Sequence, residues 1–238
     1  MIEKESIRII IEGFIGVIIL GFLFYRSIIG IIFLSPLIIL YYQKKRKVII
    51  AKRKLQLNIE FRDGINSLSA ALSAGYSVEQ GFTEALLDLK SMYPKGAMII
   101  NEFAYITKQI QMNIPVEKAL RDFASRSGIE DIISFSEVFS TAKRTGGDLT
   151  KIIKTTTDII SNKIEVKREI VTLIAAKKFE ANIMKIVPAG ILCYLSLSSP
   201  EMLKPLYHNL FGILIMTFIL GVYLCSYKLI DKIVDIEV

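Results

Sequence analysis

Leu72-Ser73-Ala74-Gly75-Tyr76-Ser77-Val78-Glu79-Gln80-Gly81-Phe82 is the stretch that decides how the chain folds. Just upstream, Phe61, Ile65, Leu68 and Leu72 recur at spacings of four and three, which puts them on one stripe of a helix. Gly75 ends that helix, because a glycine just past the last turn accepts the left-handed backbone that other residues avoid. Ser77 then starts a second helix, and Gln80 three residues on completes a capping-box pattern. Val78, Phe82, Leu86 and Leu89 form the buried stripe of this second helix, and Pro94-Lys95-Gly96 closes it.

The same rhythm continues downstream. Ile99, Phe103, Ile106 and Ile110 mark a third helix. Pro115 suits the first position of a fourth, which carries Val116, Leu120 and Phe123 to about Arg126, with Gly128 after it. Ile132, Phe135, Val138, Phe139 and Ala142 mark a fifth, closed by Gly146-Gly147. Asp148 can cap a sixth, which runs past Lys163 to about Lys178. No run alternates with period two for long enough to suggest a sheet. The expected fold is all-α: a helical bundle of six helices over 58–180, with apolar segments on either side.

Those flanks read as membrane spans. From Gly13 to Tyr42 a single charge, Arg26, interrupts the apolar run. One straight helix of that length would reach about 45 Å, against an apolar bilayer core of about 30 Å. Two spans, roughly 7–25 and 28–43 and meeting near Tyr25-Arg26-Ser27, fit better. The alternative, one tilted span, would place the N-terminus outside. Residues 181–199 and 207–230 read as two further spans, with Pro188 a kink, Lys185 snorkelling near the start, and Ser198 to Tyr207 a loop between them. The expected layout is therefore two spans in 1–43, a basic juxtamembrane helix in 44–57, the helical domain in 58–180, two spans in 181–230 and a short tail in 231–238.

Charge sets the orientation. Residues 55–180 hold sixteen basic and sixteen acidic residues, so the net +7 resides in Lys44, Lys45, Arg46, Lys47, Lys52, Arg53 and Lys54. A basic cluster beside a span marks the cytoplasmic side and touches anionic headgroups. Four spans then leave the helical domain and both termini in the cytoplasm. The cluster has no interleaved aromatics, so no nucleic-acid partner is expected. Cys193 and Cys225 fall in apolar runs, which argues against a disulfide framework.

Chemistry is sparse. His208 is the only histidine, so a histidine triad or histidine metal cluster on the helical domain is ruled out. No G-x-x-x-x-G-K-[ST] loop is present, and Thr145-Gly146-Gly147-Asp148 lacks the lysine that meets phosphates. The spans read as lacking the charge pairs of a proton or ion path, with Asp231 beyond the last span and Glu12 at the edge of the first. Neither enzymatic activity nor any cofactor or metal is expected; a transporter or permease-like component is the alternative reading of the architecture.

Three stretches carry a family resemblance. Leu72 to Phe82, Ile114-Pro115-Val116-Glu117-Lys118-Ala119-Leu120 with Arg126-Ser127-Gly128, and Thr145-Gly146-Gly147-Asp148-Leu149 resemble, in order and spacing, the turn motifs of the type II secretion system F domain. Within that family the chain is most similar to the TadB-type platform proteins of the Tad (Flp) pilus, with the sister TadC type close behind. The similarity rests on a single F domain, paired spans before and after it, and the tail Lys232 to Val238. The resemblance implies a multi-pass platform in a bacterial inner or plasma membrane. The partners it implies are a hexameric secretion ATPase, a TadC-like sister platform protein, the pilin and the lipid bilayer, in an oligomer of its own copies or with the sister protein. It also marks Gly75, Ser77, Pro115, Arg126, Gly146, Gly147 and Asp148 as partner-facing or family-motif candidates, with the alternative that the glycines serve only the backbone geometry of the turns.

Overall fold

The computed structural model describes residues 2–145, 148–207 and 209–234. Among them every regular element is a helix: α1 Ile2–Tyr25, α2 Ile28–Leu34, α3 Pro36–Ser73, α4 Val78–Met92, α5 Met98–Gln111, α6 Val116–Ser127, α7 Glu130–Thr145, α8 Leu149–Ser198, α9 Pro200–Tyr207 and α10 Leu210–Val234. The chain divides into two compact units, Met1–Ile49 with Glu169–Val238, and Ile50–Arg168. Each is described by itself below.

The unit 50–168 is built around phenylalanine. Phe61, Phe82, Phe103, Phe123, Phe135 and Phe139 are each buried to within 1% of full coverage. Phe61 meets Phe135 edge-on at 5.6 Å and Phe123 at 6.0 Å, while Phe82 meets Phe103 at 5.8 Å. Offset and edge-on pairs place the positive ring edge against the negative face, which adds about 0.5–1.5 kcal/mol to the burial itself. The stripes read from the sequence enter this core, joined by Ile153, Ile160 and Ile164 of α8. Val138 differs: it is 37% exposed, because Phe135, Phe139 and Ala142 already turn the buried face of α7 inward.

Gly64 is needed for α3 to approach α5. A Cβ at this position would lie 2.6 Å from the Cζ of Phe103. Polar groups then tie the same helices together. The buried carboxylate of Glu60 accepts a hydrogen bond from the Ile99 backbone N–H at 3.2 Å. It thus supplies from α3 the cap that Ala97, at the start of α5, does not provide. Asp131 accepts from Asn58 and from Lys163, both at 2.7 Å, which joins α7 to α3 and α8. Tyr93 donates to the carboxylate of Asp63, which also pairs with Arg62 at 2.8 Å.

The other unit contains the apolar helices. Ile7–Tyr25, α8 and Phe211–Ile233 are long and apolar enough to cross a membrane. The stretch 28–43 is not one helix, since α2 ends at Leu34 and α3 begins at Pro36. Pro36 lacks the N–H that would continue α2, and Ser35 turns the chain by donating to the Ile32 carbonyl at 3.2 Å. The basic segment 44–57 is not a helix of its own either, because α3 passes through it unbroken. Residues 200–207, expected as a loop, form α9. Pro200 presets the first helical turn, and Leu203 and Tyr207, one turn apart, are both buried. The Tyr207 hydroxyl donates to the Leu23 carbonyl at 2.7 Å.

Lys185 does not snorkel freely. Its side chain is only 11% exposed, it pairs with Asp231, and its ammonium lies 4.6 Å from the centre of the Tyr227 ring. Long-range pairs therefore do occur among the apolar helices, contrary to the sequence reading, which could not see α8 and α10 side by side. Asp231 also lies within the apolar stretch Phe211–Ile233, not beyond it.

Gly64→Ala should lower stability by about 1–3 kcal/mol through overpacking, and Phe103→Leu added to it should recover part of that loss. Thermal unfolding of the full chain followed by circular dichroism tests both. Burial first, then the bond to Asp63, raises the Tyr93 hydroxyl well above its ordinary value near 10. A proton held more tightly in the folded chain adds stability below that ordinary value, and the gain fades as pH rises through the folded value. The difference in Tm between wild type and Tyr93→Phe should therefore be constant to about pH 9–10 and shrink above it.

Candidate functional site

The motif residues fall at the turns of the 50–168 unit, and local backbone chemistry explains most of them. Gly75 has φ +92°, with its N–H on the Leu72 carbonyl at 3.0 Å and the Tyr76 N–H on the Ala71 carbonyl at 3.2 Å. This is the Schellman pattern, and it requires the left-handed residue at that place. Ser77 then caps α4: its Oγ accepts from the Gln80 N–H at 3.2 Å. Pro115 takes the cap position of α6, not its first turn, because its ψ of 137° is extended while its carbonyl already accepts from Lys118 at 2.9 Å. Gly128, with φ +56°, closes α6, and the Lys54 ammonium donates to its carbonyl at 3.0 Å. Asp148 caps α8 by accepting from the Lys151 N–H at 3.0 Å. Gly146, Gly147 and His208 lie outside the described residues.

Arg126 is the motif residue with side-chain chemistry. Its two terminal nitrogens donate to both oxygens of Glu102 at 2.9 and 2.6 Å, and its Nε donates to Asp122 at 3.0 Å. The guanidinium also lies 5.2 Å from the centre of the Tyr105 ring. The Glu102 bond, then the Asp122 bond working against burial, holds its proton even more firmly than usual. Such a bidentate geometry makes Arg126 a clamp between α6 and α5. Its charge is satisfied inside the unit.

Between α6 and α7 the unit opens a groove of about 910 Å³, lined among others by Glu117, Arg121, Ser125, Glu137, Lys143 and Arg144. Lys143 bridges its walls by donating to Glu117 at 3.0 Å. Burial pushes the Glu117 carboxyl up, but its own backbone N–H and Lys143 outweigh that and hold it below the usual range. The groove thus presents fixed charges of both signs beside hydroxyl groups. Glu117 sits in the motif read from the sequence; Arg121, Glu137 and Arg144 went unrecognised. The available signal was the pair of basic residues in the last turn of α7.

Of the basic cluster, Lys44 pairs with Asp231, Lys45 with Glu12, and Lys54 holds the α6 terminus. Among the described residues, no group of three or more His, Cys, Asp or Glu side chains could hold a metal ion. Cys193 and Cys225 are free thiols.

The family model described as type II secretion system (T2SS), protein F, matches residues 65–197, which is more than half of the chain. No curated protein and no solved structure matches the chain. Proteins of this family are structural membrane platform components of type II secretion and type IV pilus systems, and they generally interact with a secretion ATPase and with partner platform proteins. The all-helical unit and the apolar helices in both flanks accord with that match. The chain belongs to the type II secretion system protein F family and is a membrane platform protein of that class.

Proposed function

We propose that this chain is the TadB-type platform of a Tad (Flp) pilus machine, in which the 50–168 unit receives a hexameric secretion ATPase. One observation carries the reading: a helical unit of this family is flanked in sequence on both sides by apolar helices. In the proposed layout the broken stretch 28–43 is the return crossing, supported by the Glu12–Lys45 pair, so the helical unit and both termini lie in the cytoplasm. The ATPase turns or shifts the platform, and pilin subunits are lifted from the bilayer into the fibre. A TadC-like sister protein completes the platform. The chain contributes no turnover of its own, in keeping with motif residues that serve as helix caps and an interhelical clamp.

The α6–α7 groove is our choice for the ATPase contact. It offers a concave surface whose walls are bridged by Lys143 and Glu117, and its charges can fix the register of a partner surface and speed encounter. Arg121 and Arg144 are exposed, so reversing them should leave the core intact. Full-length chain carrying Arg121→Glu and Arg144→Glu should lose about tenfold in affinity for the cognate ATPase, which is about 1.4 kcal/mol, in a detergent pull-down or by interferometry. Unchanged binding with an unchanged helical spectrum would remove this groove from the account. Failure of wild type to bind the ATPase at all would remove the coupling itself.

A further inference from the structure

Within the unit that contains the apolar helices, two carboxylates each hold two cations. Glu12 of α1 pairs with Arg8 one turn away, at 3.0 Å, and with Lys45 of α3. Asp231 of α10 pairs with Lys44 of α3 and with Lys185 of α8. Among the described residues, four cations thus face two carboxylates, and the ion pairs link α1 to α3, α3 to α10 and α10 to α8. In each group one cation is held close. Lys185 is 11% exposed, and Lys45 donates to the Tyr41 hydroxyl at 2.9 Å. The other is open: Lys44 is 50% exposed and Arg8 is 82% exposed.

One carboxylate balances one of the two cations that share it, so a further anion can add to the neutralisation of the second charge. At the end of a membrane span that charge meets less water than at an ordinary protein surface, so its neutralisation is worth more there. The anion available at that depth is the phosphate of a lipid headgroup. Phenol groups mark the same level, with Tyr41 beside Lys45 and Tyr227 beside Lys185.

We infer that Arg8 with Lys45, and Lys44 with Lys185, form two binding sites for the phosphate of anionic phospholipids. Glu12 and Asp231 hold the inner cation of each site in place, and the outer cation closes over the phosphate. The site is distinct from general attraction of the basic residues 44–54 to the membrane, because it draws on Arg8 and Lys185 from other helices and on a fixed geometry. Lipid bound there would add to the links among α1, α3, α8 and α10.

The test uses the full chain, purified in a neutral detergent, with thermal unfolding measured after adding mixed micelles of phosphatidylcholine, of phosphatidylglycerol, or of phosphatidylcholine with inorganic phosphate. The variant is Arg8→Gln with Lys44→Gln, which leaves the Lys45–Glu12 and Lys185–Asp231 pairs intact. Wild type should be stabilised by phosphatidylglycerol by several degrees and by neither other addition, and the double variant should lose most of that shift. A control with Arg46→Gln and Lys47→Gln removes the same charge from α3 and should keep it. Equal stabilisation by phosphatidylcholine, an equal loss in the control, or a full shift in the double variant would each overturn the proposal. An effect of inorganic phosphate alone would do so as well, by showing a site for the free anion.

Discussion

Phe61 stands where three helices meet, edge-on to Phe135 of α7 and tilted against Phe123 of α6. Truncating a fully buried phenylalanine costs about 3–5 kcal/mol, a large part of the 5–15 kcal/mol that holds a domain together. The helices of the 50–168 unit are short, between 12 and 16 residues for α4 to α7. Helices of that length are marginal in isolation. Burial of their apolar stripes against this ring cluster is what keeps them folded, and the turns that carry the family motifs depend on it.

Most of those turns do structural work that can be stated bond by bond. Gly75 supplies a left-handed residue, Ser77 and Asp148 accept from unpaired helix N–H groups, and Arg126 clamps α6 to α5 through Glu102. A family pattern can therefore reflect the construction of the scaffold as much as contact with a partner. The surface that we propose for a partner is the α6–α7 groove, where the Lys143–Glu117 pair joins the two walls.

Period and punctuation were legible in the sequence wherever the cause is local. The stripes at spacings of three and four, the stop at Gly75 and the caps at Ser77 and Asp148 follow from residues within one or two turns of each other. What escaped involves residues far apart. The cap on α5 comes from Glu60, 39 positions away, and a chain read in order shows only Ala97 at that place. Lys185 looks like a lone lysine near a span end until α10 brings Asp231 to it across 46 positions. Asn113 is intermediate: its φ of +60° and the Ile114 N–H on the Gln109 carbonyl end α5 as Gly75 ends α3. Asparagine tolerates that backbone less readily than glycine, so it announces the turn more faintly. Helix α9 was hidden by its two prolines and revealed by the burial of Leu203 and Tyr207.

The account rests on the chain acting as the platform on which a fibre is built. The most direct measurement is a count of surface pili, by electron microscopy, on cells of the source organism in which this chain has been deleted and then restored. The account predicts that pili are absent after deletion and return with the full-length protein, while the pilin itself accumulates unassembled in the membrane throughout. Normal piliation in the deleted cells would contradict it.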